Sequence, residues 1–176
     1  MPAAPDAEVA PRVEDSDLVE HYSVHYLRLV RLAAQLVDDQ ESAEDVVQDV
    51  FARLHAMTTQ PQPRQMLAYL RRAVVNESRT AVRRRQVRRR WTPWHVVESA
   101  PAADEETLRG ERASGVLSAV DRLPRRQREV VVLKYYEDLT TAQIAETLSI
   151  TATAVTSSLA RALTTLKTAL GGDDEH

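Results

Sequence analysis

One stretch limits what this chain can fold into more than any other: residues 67–90, which read LAYLRRAVVNESRTAVRRRQVRRR. Ten of the chain's 23 Lys and Arg residues lie between Arg64 and Arg90 with a single acid, Glu77, although the whole chain has a net charge of -3. No Gly or Pro interrupts the stretch, and its apolar residues recur at helical spacing, which predicts a helix with one core-facing side. These residues are Leu67, Leu70, Val74 and Val75. Like charges at this density repel one another, so the helix needs a polyanion as its partner.

The opposite side of this helix is called the arginine face below. It comprises Arg71, Arg72, Asn76, Arg79, Arg83, Arg84 and Arg85. A solvated charged surface or a localisation tract is the simpler interpretation of such a run. A disordered basic tail would lack the apolar stripe, however, so we favour contact with a nucleic-acid backbone.

Composition restricts the fold class. The chain has 176 residues, 43% of them hydrophobic, with only four Gly and short runs of Val, Ile and Thr, which predicts an all-α protein. No apolar run approaches the roughly 18 residues that span a bilayer. The first 17 residues lack the basic and apolar regions of a signal peptide, so we expect a cytoplasmic protein.

The chemistry of an enzyme is not evident in the sequence. There is no cysteine, no Gly-rich phosphate loop and no nucleophile elbow, so we expect no enzyme, no cofactor and no metal site. His21 and His25 have the i, i+4 spacing of a metal pair, but no third ligand is placed to complete a site.

The pattern of prolines and charge predicts two small helical domains joined by a flexible acidic linker. The predicted ranges are a disordered N-terminus (1–13), a first domain (14–95), a linker (96–110), a second domain (111–170) and a disordered tail (171–176).

Within the first domain, we predict a helix from Asp15 or Ser16 to about Val37. A second runs from about Ala43 to Met57, capped by a box between Ser42 and Asp45. A polar loop then spans residues 58–65, because two prolines there stop a helix. The second helix has an acidic outer side, for which an ordinary amphipathic helix is the simpler interpretation. Trp91 and Trp94 close the domain's core or stack on a partner.

The second domain is predicted to contain a helix-turn-helix. Thr140 and Gln143 form a capping box, a tight turn follows at residues 149–150, and Thr151 can cap a last helix. A generic helical hairpin fits the spacing equally well. The last helix has only two cations, Arg161 and Lys167, which is few for a helix that enters DNA.

Taken together, these residues resemble the extracytoplasmic-function (ECF) sigma factors of bacterial RNA polymerase, in the sigma-70 family, and look most like actinobacterial, SigE-like members. The resemblance covers about Asp17 to Leu170. It rests on AEDVVQDVFARLH (Ala43–His55), YLRRAVVNESRTAVRRRQ (Tyr69–Gln86) and LPRRQREVVVLKYYEDLTTAQIAETLSI (Leu123–Ile150), in the family's order and spacing.

The resemblance implies three interaction surfaces. The first domain corresponds to sigma region 2, with core-polymerase contacts expected at Asp45, Gln48, Asp49 and Phe51. Contacts with the minus-10 promoter element are expected at Gln60, Gln62 and Gln65 and along the arginine face. The second domain corresponds to sigma region 4, with minus-35 contacts expected at Thr151, Thr153, Thr156, Ser157, Ser158 and Arg161. Family members usually carry Lys or Arg where this chain has Thr156 and Ser158.

The implied function is promoter recognition and transcription initiation as a polymerase subunit. The implied partners are core RNA polymerase and promoter DNA, with an anti-sigma factor left open, and no membrane or small-molecule substrate. A stand-alone LuxR-like helix-turn-helix regulator and a helical interaction protein are the alternatives. A structure that set the arginines against the protein's own carboxylates, away from any open groove, would contradict the initiation hypothesis.

Overall fold

The computed structural model describes residues 15–58, 61–91 and 108–171, and all the regular elements in them are helices, which confirms the all-α prediction. The helices are α1 (Asp15–Ala34), α2 (Gln40–Ala56), α3 (Pro63–Trp91), α4 (Leu108–Asp121), α5 (Arg125–Val131), α6 (Thr141–Leu148) and α7 (Ala152–Gly171). Helix α5 continues directly into a π-helical turn, Val132–Tyr136. None of the helices in the described ranges is long and apolar enough to cross a membrane.

Helices α1 to α3 form the first unit around a continuous apolar core. The fully buried side chains at its centre include Leu29, Leu32, Val47, Leu54 and Leu70. Helix α1 ends three residues before the predicted Val37, although Leu36 and Val37 themselves are buried. The apolar residues after the last helical turn therefore extended the sequence pattern beyond the helix.

The start of α2 corrects the predicted capping box. Asp39 is the N-cap, and its carboxylate accepts a hydrogen bond from the backbone N–H of Ser42 at 2.8 Å, so the helix begins three residues before Ala43. Asp39 is also an ion-pair partner of Arg85 on α3. A carboxylate with both partners is a better cap than the Ser42 hydroxyl, which explains the shift.

Helix α3 begins at Pro63, so only the first part of the predicted 58–65 loop is loop. Proline is well suited to the first turn of a helix, where its missing N–H costs nothing. From there the helix continues to Trp91, as predicted for residues 67–90.

Helices α4 to α7 form the second unit, and α4 includes the last three residues of the predicted linker. The Thr140–Gln143 capping box is confirmed in both directions, and the Thr151 hydroxyl accepts from the Ala154 N–H at 3.1 Å. Ser149 ends α6 with φ 54°, a left-handed position that usually favours glycine. Helices α6 and α7 are thus joined by the tight turn of a helix-turn-helix. The domain boundaries themselves, and the roles suggested for Trp91 and Trp94, stay predictions; residues 1–13, 92–107 and 172–176 lie outside the described ranges.

The two units pack against each other and share one apolar core. Val74 and Val75 of α3 belong to the same buried cluster as Val130, Leu133 and Ile144 of the second unit. The side of the second unit that carries α5 and α6 therefore lies on α3. This packing determines the state of the arginine face.

Candidate nucleic-acid interface

Arg79, at the middle of the arginine face, is paired with the second unit. Its Nε and Nη2 donate to the two carboxylate oxygens of Glu129 on α5, at 2.6 and 2.8 Å. The Glu129 side chain is 3% exposed and also lies 3.2 Å from Arg126 and 3.7 Å from Arg125. A bidentate pair of this geometry is among the strongest polar contacts a protein makes, so it fixes α5 against α3.

About two helical turns toward the N-terminus, Arg71 makes a second ion pair with the second unit. Its Nε donates to Glu137 at 2.6 Å, and Arg28 of α1 approaches the same carboxylate to 3.1 Å. The Glu137 side chain is 1% exposed, so its charge is neutralised by two arginines of the first unit. Beside them, Arg72 donates to the Ser149 hydroxyl at 3.0 Å, so the turn of the helix-turn-helix also contacts α3.

Part of the arginine face is therefore neither solvated nor free to contact a nucleic acid in this conformation. Arg71 and Arg79 are 13% and 21% exposed, and their partners are the chain's own carboxylates. Arginines set against the protein's own carboxylates are the arrangement expected to contradict the initiation hypothesis, and it occurs at Arg71, Arg79 and Arg85. It also means that the second unit covers part of the proposed DNA surface.

Farther along α3 the arginines differ. Arg83 and Arg84 are exposed, and Arg84 has only a distant partner, Glu77, at 3.7 Å. Arg85 is half-buried against Asp38 and Asp39, so it belongs to the cap of α2. Hydrogen bonds from Ser42, foremost its backbone N–H, and then the Arg85 guanidinium hold the pKa of Asp39 below its ordinary value of 3.8.

The polar residues predicted for base contacts lie, where the structure describes them, in the loop before α3 and in α3 itself. Gln62 and Gln65 are exposed near the start of α3, with Gln62 accepting from Arg64 at 3.1 Å, while Gln60 lies outside the described ranges. Gln65 lines a cleft of about 330 Å³ between α3 and α6. Asn76 accepts a hydrogen bond from Arg79 at 3.1 Å, so it orients that arginine here.

The predicted polymerase face on α2 divides into exposed and buried residues. Asp45, Gln48 and Asp49 are exposed, and neither carboxylate has an ion pair among the described residues. Phe51 is 6% exposed and packs edge-on against Tyr22 with ring centroids 4.9 Å apart. The Phe51 ring therefore supports the helix from the core side in this conformation, and its contact with the polymerase stays a prediction.

The residues predicted to contact the minus-35 element lie together at the start and along the first half of α7. Thr151, Thr153, Thr156, Ser157 and Arg161 are exposed, and Ser158 is half-buried. The Thr156 hydroxyl donates to the Ala152 carbonyl at 3.1 Å, a bond within the helix. This face therefore offers hydroxyls and one guanidinium to solvent.

Sequence reasoning missed Glu129, Glu137 and Arg28, which build the contact between the units. The available signal was that the two acids flank the largely apolar run of residues 130–136, where a buried carboxylate needs a cation. Their partners lie 50 and 66 positions away along the chain, and no local spacing identifies them. His21 and His25 stack with ring centroids 5.8 Å apart, and no cluster of three metal-ligand side chains exists in the described part of the chain.

Two family models match the chain in sequence order. The model for sigma-70 region 2 matches residues 21–88, and the model for sigma-70 region 4 matches residues 115–166. The first covers α2 and nearly all of α3, and the second covers the helix-turn-helix.

Several curated relatives are similar over most of the chain. The RNA polymerase sigma-E factor of Streptomyces coelicolor is 31% identical over 147 residues, covering 83% of this chain and 81% of the relative. Its namesake in Streptomyces avermitilis is 30% identical, with 83% and 80% covered. The ECF sigma factor SigE of Mycolicibacterium smegmatis is 33% identical, with 72% and 51% covered.

Two solved structures share the fold. The structure of CnrH in complex with the cytosolic domain of CnrY aligns with a TM-score of 0.67 at 22% identity, covering 92% of each chain. The sigma factor RpoE in complex with the anti-sigma factor NepR, from Bartonella quintana, aligns at 0.68 and 20% identity, covering 89% of this chain and 98% of that one.

Proposed function

Because this chain belongs to the ECF sigma factors of the sigma-70 family, we propose that it binds core RNA polymerase through the exposed face of α2 and promoter DNA through α3 and α7. The protein directs promoter recognition and transcription initiation as a polymerase subunit. It works by binding energy: phosphate contacts position it, and contacts with exposed bases stabilise the separated strands. It catalyses no reaction of its own and acts in the cytoplasm, where the polymerase is.

The observation that carries the polymerase assignment is the exposed acidic surface of α2. Asp45 and Asp49 lie one turn apart on that surface, beside a shallow depression lined by Asp49, Ala52, Arg53 and Ala56. Two unpaired carboxylates next to small side chains suit a basic helical partner, because alanines let a backbone approach closely. Arg53 is drawn toward Glu77 at 2.6 Å, which leaves the acids dominant.

The DNA assignment requires the two units to separate. DNA phosphates would bind the guanidinium groups of Arg71 and Arg79 that Glu137 and Glu129 now occupy. We therefore assign the present structure to a closed state of the sigma factor, in which the second unit covers Arg71 and Arg79 of the minus-10 surface. Opening exposes those arginines to DNA.

An anti-sigma factor is the second partner we propose. The two solved structures described above are complexes, and NepR is named as an anti-sigma factor. A partner that binds the closed state would keep the promoter surface covered, since a ligand stabilises the state that it binds.

Run-off transcription with core polymerase over a promoter library tests the function directly. We expect specific transcripts that require both the factor and the core enzyme.

Asp49→Arg should weaken holoenzyme assembly by about tenfold through charge reversal at the α2 face. Glu20→Arg, an exposed charge reversal on α1, is the matched control and should assemble normally. Unchanged assembly with Asp49→Arg would show that α2 does not meet the polymerase.

A stand-alone helix-turn-helix regulator is the alternative from the sequence. It would require only the second unit, so the match of residues 21–88 to region 2 disfavours it. Such a regulator would bind its duplex site without polymerase and would give no factor-dependent transcripts in the run-off assay.

A further inference from the structure

A cleft of about 560 Å³ lies between the two units, away from the α2 face and from α7. Helix α3 contributes one wall, with Ser78 and Val82, and the first turn of α5 contributes the other, with Arg125 and Arg128. Leu36 adds apolar surface beside Val82, and the fully buried Val75 lies behind them. A volume of this size is in the range of small-molecule sites.

Two buried donors in this cleft have no acceptor. Ser78 is 1% exposed, and its Oγ forms no hydrogen bond within the described part of the protein. The Nε of Arg128 is buried and likewise unpartnered, although its Nη2 donates to the Asp121 carbonyl. Leaving a buried donor unpaired is costly, so a site with two of them favours a ligand that brings oxygen acceptors.

The charge of the cleft also favours an anionic ligand. Five guanidinium groups line it, against two carboxylates. Glu129 is already engaged by Arg79 at 2.6 Å, and Asp38 lies 3.7 Å from Arg85. Arg83, Arg125 and Arg128 are thus left without full neutralisation, and guanidinium groups converging on one space are typical of phosphate recognition.

We propose that this cleft binds a small phosphorylated molecule of nucleotide size. Its phosphate oxygens accept from Ser78, Arg125 and Arg128, and its remaining part lies on the apolar side formed by Leu36 and Val82. A lone inorganic phosphate is much smaller than the cleft and would leave that side in water.

The cleft has a regulatory consequence, because it exists only while α3 and α5 face each other. A molecule bound there stabilises the closed state and keeps Arg71 and Arg79 covered. This consequence rests on the proposed promoter-binding function, whereas binding of the ligand itself does not.

Isothermal titration calorimetry of the full chain at constant ionic strength tests the site without DNA or polymerase. The probes are ATP, inorganic pyrophosphate, inorganic phosphate and adenosine. We expect ATP to bind more tightly than pyrophosphate, pyrophosphate more tightly than phosphate, and adenosine to give no heat. ATP at a hundred times its Kd should raise the Tm by on the order of 5 °C.

Variants separate the cleft from the rest of the basic surface. Arg125→Gln should weaken ATP binding about tenfold, because it removes one charge-assisted contact from a side chain that is 63% exposed and not needed for folding. Ser78→Ala should weaken ATP binding about threefold, and Arg122→Gln, the same charge change on an exposed arginine outside the cleft, should leave the affinity unchanged. Equal affinity in all three variants, or no heat with ATP and pyrophosphate, would overturn the proposal.

A second readout tests the regulatory part. Saturating ATP should lower the affinity of the chain for promoter DNA and should do so less in Arg125→Gln. If calorimetry detects ATP but promoter affinity does not change, the site stands and its link to closure is wrong. If the run-off assay fails while calorimetry succeeds, the proposed function fails and the ligand site remains.

Discussion

The two surfaces assigned to promoter DNA differ in both their positive charge and their exposure to solvent. The arginine face of α3 has six cations in 15 residues, and the structure covers its centre with the second unit. The minus-35 face of α7 has Arg161 as its one cation among the predicted contacts, and it is open to solvent. The surface best equipped to bind phosphate is thus the one that the protein covers itself.

The difference follows from where carboxylates are available. A dense row of guanidinium groups attracts any anion nearby, and α5 and the turn after it place Glu129 and Glu137 within hydrogen-bond distance. A face of threonines and serines does not attract carboxylates in this way, because it is uncharged and its hydroxyls can donate to their own helix, as Thr156 does to the Ala152 carbonyl. A strong polyanion surface is therefore also the surface most easily occluded from within.

The largest effect is expected from removing the Glu137 carboxylate, which Arg28 and Arg71 share, because this should uncover the arginine face. Glu137→Gln replaces charged bonds from Arg28 and Arg71 with weaker ones, worth about 2 kcal/mol, which shifts the closed–open equilibrium about 30-fold toward open. We expect a rise in promoter affinity of up to that factor, measured by fluorescence anisotropy without polymerase. Small-angle scattering should report a larger radius of gyration.

Glu20→Gln is the matched control, since it removes one exposed negative charge far from the contact between the units. A similar gain in affinity from Glu20→Gln would mean that net charge alone, and not opening, drives the effect.

The arginines that lie beyond the contact between the two units test whether the exposed part of the arginine face binds phosphate. Arg83→Ala with Arg84→Ala should lower promoter affinity about tenfold and flatten its salt dependence by roughly 0.7–0.9 log units per lost phosphate contact. Arg85→Ala should change the salt slope less, because Arg85 is engaged at the α2 cap. If Arg85→Ala flattened the slope as much as the other two together, our division of the arginine face would be wrong.

Asp39 tests whether Arg85 belongs to the fold. Asp39→Ala should cost about 1 kcal/mol of unfolding free energy in urea titration, because α2 loses its N-cap. The pKa of Asp39 is lower in the folded chain than in the unfolded chain. Its contribution is therefore complete above the unfolded value, near 3.8, and is lost as the pH falls through the folded value. Asp39→Ser keeps a cap and should lose the Arg85 ion pair together with this acid dependence. Equal stability of the wild type and Asp39→Ala at pH 7 would contradict the assignment.

The smallest effect is expected on α7. Thr156→Arg adds a cation to the exposed minus-35 face and should raise affinity for minus-35 duplex DNA about threefold while steepening the salt slope by about 0.9. Thr164→Arg is a matched control, because its hydroxyl also donates to the carbonyl four residues earlier, at 3.0 Å, but it lies beyond the predicted contacts. Equal gains from both variants would indicate nonspecific attraction.

Local patterns predicted most of the helices. The Thr140–Gln143 box and the Thr151 cap were readable because both of their partners lie within three residues. The start of α2 was not, since Ser42 and Asp39 are both plausible caps, and the choice depends on Arg85, 46 residues away. The predicted polymerase and DNA residues were found mostly on exposed faces, with Phe51 the clearest exception.

The sequence by itself determined the helical class, the basic helix and the family, because helical periodicity, capping and motif order are local properties of the chain. Only the tertiary structure decided which arginines are free, since that depends on a docking between units whose buried carboxylates meet cations from distant helices. The sequence shows where each charge is, but the ion-pair partner of that charge depends on which helices the shared apolar core packs together.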